Sequence, residues 1–464
     1  MVEKNKKYEI RITAVSSDGN GVGTVDGFTV FVPMSVTGDL LEIVIVKVLS
    51  HYAIGRLLEI KEPSEHRIMS KCPVYKRCGG CHMQHIDYKA QLEIKRGFIE
   101  SAMQRIGGFT DLSCEEVIGM ESPERYRNKC IFPIGKDKDG NVVSGFYAKR
   151  SHTIIPIDDC MVGNEINSRI MQAVKTYMLE NNISVYDEAT GKGTMRRVFI
   201  RDGRESGEIM VVISANAKDL PDKDTLINYL LAVSDKIVSV YLNINRTRTN
   251  SVLGDKNKLL YGKSEIQDTL LGLNFKISPH SFYQINPYMT DRLYSKALEL
   301  AQITKDDKVL DVYCGIGTIS LAAAKMAGHV TGIEIVEQAV CDAKKNAENN
   351  GIDNAEFFAD SAENAVPRLI ENGMKPDVVI LDPPRKGSDE ATLKAIAGAT
   401  PKRIVYVSCN AATLARDAKF LSELGYTPKK CIGVDMFPHT SHVECCVLLC
   451  RNDKTDKYKG EFEL

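Results

Sequence analysis

The chain has 464 residues, enough for about three domains of roughly 150 residues, and sets 60 Lys and Arg against 61 Asp and Glu. A net charge of −1 excludes a uniformly basic nucleic-acid coat protein but leaves room for a local basic face. The apolar runs fall far short of the roughly 18 residues of a membrane span, and the opening MVEKNKKYEIR has no apolar signal core, so a cytoplasmic protein without membrane contact is expected. Thirteen cysteines in such a chain point to metal ligation or catalysis before a disulfide framework.

In chain order, residues 1–61 read as a small β-barrel. The runs YEIRITAVS, VGTVDGFTVFVP, DLLEIVIVKVLS and YAIGRLLEI are short and β-branched, with Asp-Gly, Gly-Asn-Gly and Thr-Gly-Asp turns between them. Such a barrel serves as a platform for single-stranded nucleic acid or as a structural cap. A polar connector from Pro63 to Lys71 leads into CPVYKRCGGC, and apolar spacing predicts a helix from Lys89 to Arg105. From about 115 to 270 the chain is β-rich (KCIFPIGK, VVSGFYAKR, RRVFIRDG, EIMVVISAN, KIVSVYLNI), with helices predicted at Asn164 to Asn181 and Asp222 to Ser234. Within residues 190–204, Lys192, Arg196, Arg197, Arg201 and Arg204 stand against Asp202 alone, which predicts a phosphate-facing patch or a solvated face.

After Phe282 the pattern alternates: KVLDVY, a helix from Thr318, HVTGIEI, a helix from Glu337, AEFFAD, PDVVILD, a helix from Glu390, RIVYVSC, a helix from Thr413, then β runs at KKCIGVDMFP and HVECCVLLC. This is the signature of a doubly wound, Rossmann-like parallel sheet with an antiparallel hairpin appended at its edge. The expected architecture is multidomain α/β: a barrel over 1–61, a central α+β domain with the cysteine cluster over 62–275, and a doubly wound domain over 276–464.

Asp311-Val-Tyr-Cys-Gly-Ile-Gly-Thr318 ends a strand and opens a helix. Gly315 and Gly317 permit a tight turn and close approach of a ligand, and Glu334 ends the next strand, where a carboxylate can accept both ribose hydroxyls. The spacing suits an adenosine ligand. With no third glycine near Ser320 and no pyrophosphate cradle, S-adenosylmethionine is preferred over a dinucleotide; a tight turn with no ligand is the structural alternative. Asp382-Pro-Pro-Arg385 aims a carboxylate at the same crevice, and the arginine stands where enzymes that methylate base amines carry an aromatic.

Cys409 ends the strand RIVYVS just before a helix whose free amides would lower its pKa, which marks it as a candidate nucleophile. An inert buried thiol is the alternative, and it is the preferred reading for Cys314, Cys341, Cys431, Cys445, Cys446 and Cys450. Glu444 is a lone carboxylate in the apolar run HVECCVLL, a costly place unless the group is paired or used; desolvation would raise its pKa toward that of a general base. A salt-bridged structural role is the alternative. Cys72, Cys78, Cys81 and the distant Cys160 form a candidate metal quartet, with Cys114 and Cys130 competing for the fourth place. Spacing alone does not choose between zinc and an iron–sulfur cluster.

These motifs, with Phe282-Tyr-Gln-Ile-Asn286, Ser408-Cys-Asn410 and His442-Val-Glu444, together resemble the RNA 5-methyluridine methyltransferase family, class I S-adenosylmethionine-dependent enzymes that act on uracil carbon-5. The resemblance runs over nearly the whole chain. It implies a TRAM domain at residues 1–61, cofactor contacts from Gln284, Tyr313, Gly315, Glu334 and Asp382, Cys409 as nucleophile, Glu444 as base and Phe282 against the target base. It implies a [4Fe-4S] cluster on Cys72, Cys78, Cys81 and Cys160, a helix near Lys89 to Arg105 that packs on the catalytic domain, and a monomer that modifies 23S ribosomal RNA. Methylation of tRNA, or an RNA-binding iron–sulfur assembly protein without turnover, are the competing expectations.

Overall fold

The computed structural model describes residues 2–248 and 251–452; the outer ends of the first and last expected domains, at Met1 and Leu464, lie outside the described residues. The chain forms two compact units, each assembled from separate segments. The first holds Met1–Lys95, Gly119–Asp291 and Asp435–His442; the second holds Arg96–Ile118, Arg292–Val434 and Val443–Leu464.

In the first unit, strands Lys7–Val15, Gly21–Val25, Phe28–Val32, Leu40–Val48 and Ala53–Glu62 close into a barrel. Alternation along each strand sends Ile10, Ile12, Val30, Val32, Leu41, Ile43 and Ile45 inward as its core. The same unit contains a seven-stranded sheet in the order Lys256–Gly262, Ile237–Ile244, Ile209–Ala215, Met195–Asp202, Lys129–Lys136, Val142–Tyr147, Ile154–Pro156. Helices Ile166–Glu180 and Lys223–Val233 supply Ile170, Val174, Leu226 and Leu230 to the core of this sheet, with Val198, Val211 and Val240 from its strands.

Arg196, Arg197 and Arg201 of the basic run lie on the central strand Met195–Asp202 and are neither a phosphate-facing patch nor a solvated face, while half-buried Arg204, just past the strand, pairs with Asp291 and Glu205 and Lys192 is exposed. Arg196, Arg197 and Arg201 are buried. Arg196 donates to Glu188 (2.9 and 3.0 Å) and to the Asn245 side chain (2.8 Å); Arg197 donates to the Ser251 carbonyl, and Arg201 to the carbonyls of Ser278 and Ser281, both 3.0 Å. A strand covered on both faces buries whatever it carries, so these guanidinium groups are taken up by internal acceptors.

The second unit is built on an eight-stranded sheet in the order Ala355–Ala359, His329–Glu334, Lys308–Val312, Val378–Leu381, Arg403–Ser408, Glu444–Arg451, Tyr426–Val434, Val117–Ile118. The first five are parallel; the four inner ones are nearly all buried, as helices on both faces require, and the outer strand Ala355–Ala359 buries only Phe357. Helices begin at Thr318, Glu337 and Glu390 as predicted, and the one expected from Thr413 starts at Ala411. Ala362–Glu371 is a further helix despite Pro367 in its interior. The last strand is not an outer edge: Glu444–Arg451 slots between Arg403–Ser408 and Tyr426–Val434, antiparallel to both, and the edge is the short strand Val117–Ile118. The predicted helix from Lys89 spans Tyr88–Ala102, followed by a wide turn Met103–Gly107 that Gly108 ends at φ 79°.

Candidate active site

Strand Lys308–Val312 has His329–Glu334 on one side and Val378–Leu381 on the other, the reversal point at which open α/β sheets bind ligands beyond their carboxyl ends. The chain leaves it through a turn in which Tyr313, Gly315 and Gly317 all take positive φ (72°, 56° and 84°). A β-carbon at Gly315 would meet nothing within 4 Å, so the turn leaves open space there. Glu334 closes the turn: one carboxylate oxygen accepts from the Gly315 amide (3.1 Å), the other from the Val336 amide (3.0 Å). Ile335 and Val336 beside it are exposed, 66 % and 53 %, an apolar ledge next to a carboxylate. The Tyr313 hydroxyl lies 3.0 Å from Ser388 Oγ, and burial raises its pKa.

Beneath the turn, Asp311 is fully buried. One oxygen accepts from Ser320 Oγ (2.5 Å), the other has no partner among the described residues, and burial pushes the carboxyl up to about 7. Sequence reasoning named this residue as the start of the Asp311–Thr318 motif but gave it no role; an acid inside an apolar strand, the pattern that drew attention to Glu444, was the available signal. Asp382, at the end of the neighbouring strand and half-buried, is also pushed up to about 7 by burial, with the Asp311 charge adding to it. Glycine turn, ribose-type carboxylate, apolar ledge and unmet buried acceptor together fit a nucleoside carrying a cationic tail.

Cys409 and Glu444 are brought together by strand register. Ser408 pairs with Cys445 across the antiparallel ladder, so the next residue on one strand faces the preceding residue on the other. Glu444 is buried, its carboxyl pushed up to about 8 chiefly by desolvation, with Asp382 raising and Arg385 lowering it. Cys409, half-buried, has its thiol pKa raised, first by burial and then by the Glu444 charge; Arg385 pulls it down. The expectation that helix amides would lower this pKa is thereby corrected. The Asn410 side chain accepts from the Ala412 and Thr413 amides and so takes the helix start for itself. Asn410 and Thr413 also donate to the Arg385 carbonyl (3.3 and 3.4 Å), which ties the Asp382–Arg385 loop to the cysteine.

Phe282 and Gln284 lie in the first unit on the segment Ser278–Asn286. Phe282 is 65 % exposed. Arg201 holds this segment through two carbonyls, Asn128 Nδ2 donates to the Gln284 carbonyl (2.9 Å), and the Tyr283 hydroxyl donates to Asp268 (3.2 Å). The segment Asp435–His442, just ahead of Glu444 in the chain, is anchored as firmly: buried Lys95 donates to Asp435 (2.6 Å), Tyr88 to its other oxygen (3.0 Å), and Asn286 to the Met436 carbonyl (3.1 Å). A lysine within an amphipathic helix carries no sequence signal of such a role.

Among the quartet, Cys81 feels the charges of Cys78 and Cys160, and Cys78 that of Cys72, so the four share one neighbourhood. Burial raises the thiols of Cys78 and Cys160 and pushes Cys81 up to about 12, while Arg127 pulls Cys81 and Cys160 down and the Gly80 amide donates to Cys78 Sγ (3.4 Å). Cys130 faces the core and abuts Gly163, although it too feels the Cys160 charge, and Cys114 belongs to the second unit beside Cys431. Among the described residues no three His, Cys, Asp or Glu side chains converge in metal-holding geometry. The donors thus fit a thiolate-bound centre in kind and in neighbourhood, but not in convergence.

Residues 87–452 match the tRNA (uracil-5-)-methyltransferase family and residues 2–58 the TRAM domain. Proteins called uncharacterized RNA methyltransferases in Clostridium tetani and Halalkalibacterium halodurans are each 45 % identical over 448 residues, covering 97 % of this chain and 97 % and 98 % of theirs. The crystal structure of Pyrococcus abyssi tRNA (uracil-54, C5)-methyltransferase in complex with S-adenosyl-L-homocysteine is similar over 96 % of this chain and 100 % of its own, at 30 % identity and a TM-score of 0.77. Among the described residues no helix is long and apolar enough to cross a membrane. The chain belongs to the tRNA (uracil-5-)-methyltransferase family, with a TRAM domain as its leading barrel.

Proposed function

We propose that this protein transfers a methyl group from S-adenosylmethionine to carbon-5 of a uridine in 23S ribosomal RNA. The observation that carries the uracil carbon-5 chemistry of this reading, though not the choice of RNA, is the pairing of Cys409 with Glu444 at adjoining strand ends, beside Asp382 and in the same sheet as the nucleoside cradle. Glu334 would take the ribose hydroxyls, with Gln284, Tyr313, Gly315 and Asp382 as further cofactor contacts and exposed Phe282 against the target base.

Uracil carbon-5 is too weak a nucleophile to accept a methyl group unaided. Attack of Cys409 Sγ on carbon-6 forms a C–S bond and moves the ring electrons into an enolate that is nucleophilic at carbon-5. S-adenosylmethionine would supply the electrophilic methyl group to carbon-5, its S–CH3 bond breaking to leave the neutral thioether S-adenosylhomocysteine. Glu444 then takes the carbon-5 proton, the ring double bond re-forms, and the C–S bond breaks to return the thiolate. The target base must first leave its stack or loop, at a cost of a few kcal/mol, which favours unpaired RNA. The reaction needs both the thiolate and the ionised carboxylate. With Glu444 at about 8 and the Cys409 thiol raised, the rate should climb with pH through that region, and Arg385 moves the climb downward by favouring both anions.

Cys72, Cys78, Cys81 and Cys160 would hold a [4Fe-4S] cluster that cross-links distant parts of the first unit. The methylation chemistry requires no electron from it. The protein would act as a monomer in the cytoplasm.

The similarity to a tRNA (uracil-54, C5)-methyltransferase supports a second reading, a tRNA substrate. Mass-spectrometric mapping of 5-methyluridine in 23S ribosomal RNA and tRNA from a strain lacking the gene separates the two. Loss from 23S RNA supports the first reading and loss from tRNA alone the second. Unchanged RNA in both pools, with no transfer by the purified protein, overturns both in favour of an RNA-binding protein without turnover.

A further inference from the structure

Two stretches of chain without a single acid, Lys71–His82 and Tyr147–His152, meet beside the cysteine quartet. The Gly79 amide donates to the Tyr147 carbonyl (3.0 Å) and Cys78 pairs with Ala148. Gly79 is what permits the approach, since a β-carbon there would stand 3.0 Å from the Tyr147 carbonyl oxygen and 3.1 Å from the Lys149 nitrogen. A cavity of about 440 Å³ opens at the junction, lined by Gly79, Tyr147, Lys149, Arg150 and His152 among others. That volume lies in the range of about 300–1,000 Å³ that takes small organic groups.

The cations here are unspent. Lys76, Arg77, Lys149 and Arg150 are all exposed, and among the described residues none has an ion-pair partner, whereas Lys71 is taken by Glu124. Arg150 sits at the tip of the hairpin between strands Val142–Tyr147 and Ile154–Pro156 with φ 57°, a conformation an arginine adopts at a cost. The tip is closed by Ser151 N donating to the Ala148 carbonyl (3.0 Å) and Ala148 N to the Thr153 carbonyl (2.8 Å). The Tyr147 and His152 rings stand edge to face, centroids 5.7 Å apart. In a chain of net charge −1 this is a local basic face with aromatic surface in it. Arg196, Arg197 and Arg201 of the run 190–204, which looks more basic in sequence, are committed inside the fold.

We propose that this face docks the RNA substrate: Lys149 and Arg150, flanked by Lys76 and Arg77, take phosphodiesters, and the Tyr147–His152 pair receives an unpaired base. The inference rests on the proposed RNA substrate and adds a place where it is held. Phosphate contacts of this kind give position and salt-dependent affinity, and ring contacts give tolerance of any unpaired base.

The test is the full-length double variant Lys149→Gln/Arg150→Gln against Lys344→Gln/Lys345→Gln, which removes the same charge from the exposed face of the helix Glu337–Asn349. Binding of fluorescein-labelled single-stranded oligouridylate is followed by anisotropy across salt concentrations, together with methylation of transcribed 23S RNA or tRNA. The first variant should bind about tenfold more weakly, its salt slope should fall by about 1.4 at about 0.7 per lost phosphate contact, and KM for RNA should rise with kcat unchanged. Tyr147→Ala should weaken binding with the slope retained. Matching affinity, slope and KM in the two double variants would overturn the proposal. If the wild-type protein methylates neither RNA, the uridine reading falls by itself, and the anisotropy comparison still decides the docking face.

Discussion

Two groups of cysteines in this protein meet the same desolvation and are set apart by their neighbours. At the sheet end, the charges that act on the Cys409 thiol come from other kinds of side chain, with the Glu444 and Asp382 carboxylates raising its pKa and Arg385 opposing them. In the first unit, Cys78, Cys81 and Cys160 are also raised by burial, yet the charges around them are each other's and that of Arg127. Burial makes any thiol reluctant to ionise; the partners decide what ionisation is for. A carboxylate beside one thiol makes a proton-handling pair, and several thiols together make a donor set for a metal centre.

The sharpest way to break this comparison is to remove one thiol from each group. Cys409→Ala should abolish methyl transfer and covalent attachment to RNA, because no enolate can form, as radiolabelled transfer and a denaturing gel would show. Cys81→Ser should instead remove iron and the broad absorbance near roughly 400 nm expected of anaerobically prepared protein, while leaving the rate of Cys409 alkylation unchanged. Stoichiometric zinc in the wild type would replace the cluster reading.

Next in size is Glu444→Gln, which keeps shape and loses basicity. Turnover should fall by about 10²- to 10⁴-fold, and a protein–RNA adduct already carrying the methyl group should accumulate. Release of methylated RNA at the wild-type rate would make Glu444 structural and pass the proton to Asp382.

Glu334→Ala leaves both thiol groups untouched and should weaken S-adenosylmethionine binding by about 1.5–3 kcal/mol for each charge-assisted hydrogen bond lost, read by calorimetry, with RNA affinity unchanged. Unchanged cofactor affinity would place the ribose elsewhere.

The smallest effect tests the coupling itself. An ionised Glu444 raises the Cys409 pKa, and with its own value near 8 it is charged mainly above that pH. Glu444→Gln should therefore speed iodoacetamide alkylation of Cys409 a few-fold at about pH 9 and hardly at about pH 6.5, where the carboxyl is already neutral. Equal acceleration at both would mean that packing, not charge, sets the thiol.

The sequence by itself determined what local patterns encode. β-branched runs between Asp-Gly and Gly-Asn-Gly turns specified the barrel, and apolar runs alternating with helical spacing specified the parallel strands. The ends of those strands placed Asp311–Thr318, Glu334, Asp382 and Cys409 at one edge of a sheet. Tertiary structure alone decided the rest, because it depends on partners distant in the chain. Ladder register set Glu444 beside Cys409, and the Asn410 cap took the amides that would have lowered the thiol pKa. Arg196, Arg197 and Arg201 became internal because their strand lies at the centre of a sheet covered on both faces, where carbonyls and Glu188 await them. Charge counted along a chain does not reveal which cations will find such acceptors, and it made the buried run look like a surface while the exposed cations near Cys78 passed unnoticed.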